Sequence, residues 1–447
     1  MIHLSVKVVC VLLNFSINTH KSIKNITFVN VYFNPINMKQ IAVFLLFLLM
    51  TVFHLRSETI EYADSTIVSL ITCEPGKAVY TKFGHTAIRI RDTKGLDLVY
   101  NYGVFDFKTD NFYLKFLRGH TDYMLAVYPT ELFMHDYRKR NSTVWEQVLN
   151  LTKAEKDKLI ELLRINYLPE NRMYRYNFFN DNCSTRPYHI ISEAVTGAII
   201  FDQQRKFESA RTMIMNYLSD TPWVELGVNL IFGLDADKLL NENQSIFLPE
   251  YLKNYAQQAK ILHLVDNGFH KRPLVSHTET LFMSKRESPN HLELLVHPFL
   301  ITILWLIMGG VIMRYRRNMD SVTNRLFDFI LFMVTGIGGL VIFFFMFFSE
   351  HPLVDKNLNI LWLNPLNIIV AFLIWSKKSR NLLFYYNIVY MLMMIAYFII
   401  TVALTHTTLL ILLPMQALLF LRVLLREKFL LHALYVPTNQ GIRKRKE

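Results

Sequence analysis

The chain has 447 residues, 52% of them apolar, 14% aromatic and 19% charged, against roughly 25% charged in an average soluble domain. That excludes a disordered chain, which needs low hydrophobicity and high charge, and a purely soluble one, because apolar runs near 20 residues recur after residue 293. The net charge of +12 is uneven: residues 291–447 hold 15 Lys+Arg against 7 Asp+Glu, and residues 1–290 hold 33 against 29.

The excess sits in short loops between apolar runs, where it sets membrane orientation. No basic patch with interleaved aromatics appears, so nucleic acid is not an expected partner. The three cysteines, Cys10, Cys73 and Cys183, form neither a disulfide framework nor a zinc pattern, and no metal is expected.

Residues 1–37 are rich in Asn, Ile, Phe, Lys and Val without a clear period and read as an upstream extension. Met38-Lys39-Gln40 then precedes IAVFLLFLLMTVF. A lysine before about 13 apolar residues has the shape of a secretory signal, so 38–57 is expected to be a signal peptide or signal anchor. Everything after Ser57 is then exported.

The exported domain is expected to span 58–265. IVSLITC (67–73) reads as a strand. FGHTAIRI (83–90) and LDLVYNYGVFDF (96–107) read as a hairpin around Lys94-Gly95. Alternation places His85, Ala87 and Arg89 on one face. DYMLAVYP (122–129) and STVWEQVLN (142–150) read as further strands. Thr152 and Glu155 form a capping box opening the helix 152–168, with Leu159, Leu162, Leu163 and Ile165 at helical spacing. The extended piece YRYNFF (174–179) leads through NDNCSTR into the helix PYHIISEAV, where Pro187 is tolerable only in the first turn.

Cys183 therefore sits at or just before a helix N-terminus. Such a terminus favours a thiolate, and Arg186 lies within one turn. A nucleophilic cysteine also needs a base and amides facing the developing oxyanion. His85 is the expected base and the amides of Cys183 and Ser184 the expected oxyanion donors. Asn101, on the partner strand of the hairpin, is the first choice to hold the imidazole, and Asp106 the second. His120, His135, His189, His351 and His406 compete as structural or functional histidines.

FGHTAIRI, then NYGVFDF (101–107), then YNFFNDNCSTR (176–186) resemble the Lnb N-terminal periplasmic domain family, bacterial envelope proteins with an exported thiol-enzyme-like domain followed by membrane spans. The resemblance implies a lipoprotein N-acyltransferase whose cysteine takes an acyl group from a phospholipid as a thioester. By position, His85 and Cys183 match the family's base and nucleophile; Asn101 rests on the hairpin geometry alone. The His-then-Cys order is also similar to permuted papain-like folds, including lecithin retinol acyltransferase.

Residues 197–265 read as mostly helical. Arg205 and Arg211 are candidates to meet phospholipid phosphates, and Trp223, Phe232 and residues 247–249 candidates to rest on the bilayer, with packing roles as the alternative. Residues 266–292 are polar and read as a linker. Five apolar runs follow at 294–313, 326–348, 360–375, 382–404 and 408–425, the third broken by Asn364, Pro365 and Asn367. Arg314, Arg316, Arg317, Arg325, Lys377, Lys378 and Arg380 lie in alternate connections, and Arg426, Lys428 and 443–446 in the tail. This places the membrane domain at 293–428, the basic tail 429–447 in the cytoplasm and the exported domain opposite. Arg422, near a cytoplasmic end, is expected to snorkel. The polar connection 349–367 carries His351, Asn357 and Asn359 and reads as a lipid-side loop beneath the thiol.

The expected architecture is α+β: a permuted papain-like (NlpC-type) exported domain on an all-α bundle of five transmembrane helices. The expected setting is a bacterial inner membrane, multi-pass, with the N-terminal domain in the periplasm. The expected reaction moves an acyl chain from a phospholipid through Cys183 to the α-amine of a diacylglyceryl-cysteine lipoprotein, without a cofactor. The alternatives are a membrane-anchored cysteine hydrolase of peptide or cell-wall amides and a non-catalytic envelope assembly protein.

Overall fold

A computed structural model describes residues 65–105, 110–201, 208–265, 268–285, 297–316, 318–403 and 411–435. The readings of 1–57, Asp106, Arg205, Arg317, His406 and the tail beyond 435 lie outside the described residues.

Seven antiparallel strands build the main sheet: β1 (Ile67–Cys73), β2 (His85–Arg91), β3 (Asp97–Val104), β4 (Asp122–Pro129), β5 (Val144–Leu149), β6 (Met173–Arg175) and, from far along the chain, β10 (Val275–Phe282). Their order is β10-β5-β1-β2-β3-β4-β6. β1 lies inside the sheet, and its β-branched and leucine side chains are buried on both faces, as a central strand requires. β7 (Ala198–Phe201), β8 (Ala259–Val265) and β9 (Gly268–Pro273) make a second, three-stranded sheet. Residues 268–282 are thus two strands rather than a linker. β10 pairs with β5 from Val275↔Leu149 to Phe282↔Val144, and its exposed, polar side chains are what gives it the look of a connection.

The short helix α1 (Phe112–Leu117) follows β3, and α2 (Thr130–Lys139) follows β4. α3 (Lys153–Tyr167) opens on the Thr152–Glu155 capping box. It packs against α4 (Thr185–Ala194), and Leu159, Ile160 and Leu163 of α3 and Ile190, Ile191 and Ala194 of α4 are buried. Each such aliphatic side chain contributes about 1.5–3 kcal/mol of burial, and together they fix where the α4 N-terminus points. α5 (Ala210–Leu218), α6 (Pro222–Ile231) and α7 (Pro249–Gln258) complete the domain. Phe232, Phe247 and Leu248 are core residues of this part and do not rest on a bilayer; Trp223, on α6, is half exposed.

The C-terminal region is helical: α8 (Pro298–Tyr315), α9 (Val322–Phe348), α10 (Asn367–Leu373), α11 (Arg380–Ala403) and α12 (Leu413–Tyr435). Among the described residues, three stretches are long and apolar enough to cross a membrane: Pro298–Tyr315, Val322–Phe348 and Lys377–Ala403. The third apolar run forms a 3-10 turn, Leu358–Leu361, and then α10. Seven residues of helix rise only about 10 Å. Asn367 is fully buried there: its Nδ2 donates to Thr335 Oγ1 (3.0 Å) and Tyr390 Oη (2.9 Å), and its Oδ1 accepts from Tyr386 (2.6 Å). α12 has the length but carries charges. Arg422 does not snorkel: it is buried, with Nε 2.6 Å from Asp328 Oδ1 and Nη1 2.9 Å from Asn324 Oδ1, and Arg426 shares the same carboxylate. A charge leaves lipid contact only by such pairing.

Candidate active site

Cys183 is set by a turn and a cap. Asn177 and Asp181 bridge through paired main-chain bonds of 3.0 Å, and Asn177 Oδ1 accepts from the amides of Phe179 (3.1 Å) and Asn180 (2.9 Å). Buried Asn182 then accepts from the Ser184 (2.7 Å) and Thr185 (3.0 Å) amides, capping α4, and its Nδ2 donates to the Phe178 (2.6 Å) and Phe247 (2.9 Å) carbonyls. An asparagine before a helix is a preferred cap, which is the signal by which sequence reasoning could have found Asn182.

His85 opens β2 directly after Gly84, whose φ of +74° lies in the left-handed region that favours glycine; a side chain there would strike the Cys73 carbonyl. His85 pairs across the sheet with Cys73. Its Nε2 lies 2.7 Å from Asn101 Oδ1, which also accepts from the Gly103 amide at 2.8 Å. Asn101 Nδ2 donates to the Tyr128 hydroxyl. Because Oδ1 is the acceptor end, Nε2 must carry a proton, which leaves Nδ1 to face the thiol. Gly103 lies against the ring edge, where a Cβ would overlap His85 Cε1.

His85, Asn101 and Cys183 line one cleft of about 200 Å³, with Phe105, Tyr123, Tyr176 and Phe178 among its walls. Burial by itself would push the Cys183 thiol up, but the His85 charge and hydrogen bond outweigh it. The Thr86 amide and the Ser184 hydroxyl add to this, and the thiol lies below its ordinary value. Burial likewise disfavours charge on His85, yet Cys183 and Asn101 hold it above the ordinary imidazole value. The cleft thus favours a thiolate–imidazolium pair. Tyr123 and Tyr176 are pushed up, first by burial and then by neighbouring charge that includes Cys183; they remain neutral donors.

Other expected site residues fall elsewhere. The Ser184 amide is committed to Asn182, so it is not free to serve as one of the expected pair of oxyanion donors. Arg186 pairs with both oxygens of Asp181 at 2.6 and 2.7 Å and stacks 3.7 Å from the Tyr174 ring; it braces the turn rather than the thiolate. Arg211 is spent on Asp237 (2.7 Å) and on the carbonyls of Asn229, Phe232 and Gly233, leaving no free face for a phosphate. His351 donates from Nε2 to the Phe116 carbonyl at 2.6 Å. Asn357 Nδ2 donates to the Leu230 (2.7 Å) and Ile231 (2.8 Å) carbonyls, and Asn359 Nδ2 to Leu230 (3.2 Å). These three clasp the sheet domain to the helical region. Cys73 is buried and unbridged, its thiol pushed well up by burial.

A thiol–imidazole–amide constellation in a sheet-rich domain, fastened to membrane-length helices, defines a membrane protein that carries a cleft thiol outside its membrane-length helices. The Lnb N-terminal periplasmic domain family matches residues 30–215, and the Lnb transmembrane domain family matches residues 290–432. The chain belongs to the Lnb-like family, and its N-terminal domain is periplasmic. No curated protein and no solved structure matches it.

Proposed function

We propose that the protein is a lipoprotein N-acyltransferase with Cys183 as nucleophile. The observation that carries this is the His85–Asn101–Cys183 constellation in a cleft of a domain clasped to a membrane bundle. A soluble amidase needs no such platform; an enzyme whose acyl donor is a phospholipid does.

Cys183 Sγ attacks an ester carbonyl of the phospholipid. The Cys183 amide and the neutral phenols of Tyr123 and Tyr176 face the developing oxyanion. The carbonyl–oxygen bond to glycerol breaks, the leaving oxygen takes the proton from His85 Nδ1, and a thioester remains. The α-amine of a diacylglyceryl-cysteine then attacks the thioester, His85 accepts the amine proton, and the sulfur leaves as thiolate. Asn101 keeps the proton on Nε2 through both halves. One ester is exchanged, by way of a thioester, for one amide, so no energy-rich co-reactant is required.

The membrane topology we infer has five crossings, with the domain on the outer side. Asp320, before α9, pairs with Arg380 at the start of α11 (2.5 Å), so the segment 358–376 returns the chain to the inner level. Thr302, early in α8, donates to the Ile411 carbonyl just before α12 (3.0 Å), which supports reading both of those ends at one level, the outer one.

The test is intact-mass analysis of the full chain in phospholipid vesicles. A single acyl adduct on Cys183, absent in Cys183→Ala and lost on adding a diacylated lipopeptide with formation of its N-acyl product, is expected. Release of free fatty acid with no N-acyl product would make the protein a hydrolase, and no adduct would make it non-catalytic.

A further inference from the structure

An aromatic line leaves the thiol cleft. Tyr176 stacks on Tyr123 at 4.1 Å between ring centres, and Tyr123 on Phe105 at 4.7 Å; all three line the cleft. From Phe105 the line continues to Phe112 (5.9 Å) and Phe116 (6.2 Å) in α1, then to His351 (5.7 Å) and Phe345 (6.1 Å). Phe345 belongs to the last turn of α9, a helix of membrane length. The line therefore joins Cys183 to the outer end of a span.

α1 is fastened there by its main chain. Ser349 Oγ donates to the Leu117 carbonyl (2.8 Å), the Glu350 amide to that of Arg118 (2.9 Å), and His351 Nε2 to that of Phe116 (2.6 Å). Its other side is exposed: Tyr113, Leu114 and Leu117 are 78%, 52% and 42% exposed with Lys115 beside them, Phe116 of the line is itself 42% exposed, and Phe347 and Phe348 at the end of α9 are 63% and 57% exposed. Exposed apolar side chains gathered in this way mark a surface that meets a membrane or a partner. At the end of a span it lies where an interfacial helix buries its apolar face among lipid headgroups and chains.

We propose that α1 lies in the outer leaflet and that the aromatic line behind it is the path by which the acyl chain of a bilayer phospholipid reaches Cys183. This rests on the acyl-transfer reading. The chain stays in apolar surroundings from hydrocarbon to thiol, so the donor's ester arrives at the sulfur without its tail crossing water.

The test uses the full chain in phosphatidylethanolamine–phosphatidylglycerol vesicles. Cys183→Ala, which cannot transfer, is irradiated with a phospholipid carrying a diazirine in its acyl chain. Crosslinks within residues 112–123 are expected in addition to those on α8–α12; crosslinks confined to α8–α12 overturn the path. In the otherwise unaltered enzyme, Tyr113→Ser, Leu114→Ser and Leu117→Ser are combined, all at exposed positions. Acylation of Cys183 is then compared between the vesicle lipid and a water-soluble short-chain thioester. The ratio of the two rates falls by about tenfold if α1 draws lipid from the bilayer, and an unchanged ratio overturns the proposal. Failure of both donors on the unaltered enzyme would overturn acyl transfer instead, and the crosslink map, which needs no transfer, would still decide the path.

Discussion

Asn101 does its work by fixing which nitrogen of His85 holds the proton. Its Oδ1 is kept in place by the Gly103 amide and its Nδ2 by Tyr128, so Asn101→Ala removes the partner of Nε2 and leaves the thiol intact. The rate of Cys183 acylation is expected to fall roughly tenfold or more, with Asn101→Asp retaining more activity than the alanine variant. Gly103→Ala touches no polar group yet should be at least as damaging, because the new Cβ occupies the space of the His85 ring; wild-type rates in it would show that the imidazole does not act from this position. Charge gives a second readout. Cys183 is held below the ordinary thiol range, chiefly by His85 against the pull of burial, so its alkylation by iodoacetamide should reach its plateau at lower pH than a free cysteine. In His85→Ala burial is unopposed and the profile must move to higher pH, while Cys73 stays unreacted across the range because burial pushes it up. Mapping the labelled peptides by mass checks both. The thiol and the imidazole of the cleft are legible in the sequence because a cysteine at a helix start and a histidine on a hairpin strand are local signals. The commitment of the Ser184 amide to Asn182 and of Arg186 to Asp181 is not, since it depends on which neighbour each group faces after folding.

At the scale of elements, the local rules hold and the long-range pairings escape them. The strands 67–73 and 122–129 and the Thr152–Glu155 box can be read directly, because alternation and capping are written within a few residues. β10 cannot: it joins β5 across more than 100 residues of chain, and its exposed side chains carry no apolar alternation. Glu155 shows how the two levels combine. It closes the capping box and also accepts from the Thr196 amide (2.8 Å) and from Arg272 on β9 (2.6 Å) while almost fully buried. Thr152→Ala removes one cap and should cost about 1 kcal/mol. Glu155→Ala leaves Arg272 without its carboxylate and should cost about 3–5 kcal/mol. Denaturant unfolding of the two variants checks the order; equal losses would mean that Glu155 acts as a cap alone.

For the whole molecule, the question is how a membrane bundle and a periplasmic thiol come to act as one body. Apolar runs announce the bundle, but the third is split where Asn367 meets Thr335, Tyr386 and Tyr390, and Asp328 with Arg422 and Arg426 holds α9 to α12. Neither is visible in a hydropathy profile, because pairing partners lie on different helices. The connection 349–361 is the joint. Ser349, Glu350 and His351 grip α1, the Gly233 amide donates to Leu353 (2.8 Å), and Asn357 takes the last carbonyls of α6. Asn357 is buried, so Asn357→Ala strands the Ile231 carbonyl and leaves that of Leu230 only Asn359, at a cost of about 1–3 kcal/mol. No atom of the thiol cleft is touched. Alkylation of Cys183 should therefore keep its rate and pH profile, whereas acylation from vesicle phospholipid should fall by roughly 5- to 100-fold if that free energy is what holds the cleft at the lipid surface. The two rates are measured on the same preparation. Parallel loss of both would place Asn357 in the folding of the domain, and no loss of either would mean that the other contacts hold the joint without Asn357. Selective loss of the lipid reaction is the outcome that follows from a thiol site whose substrate must come to it through the membrane.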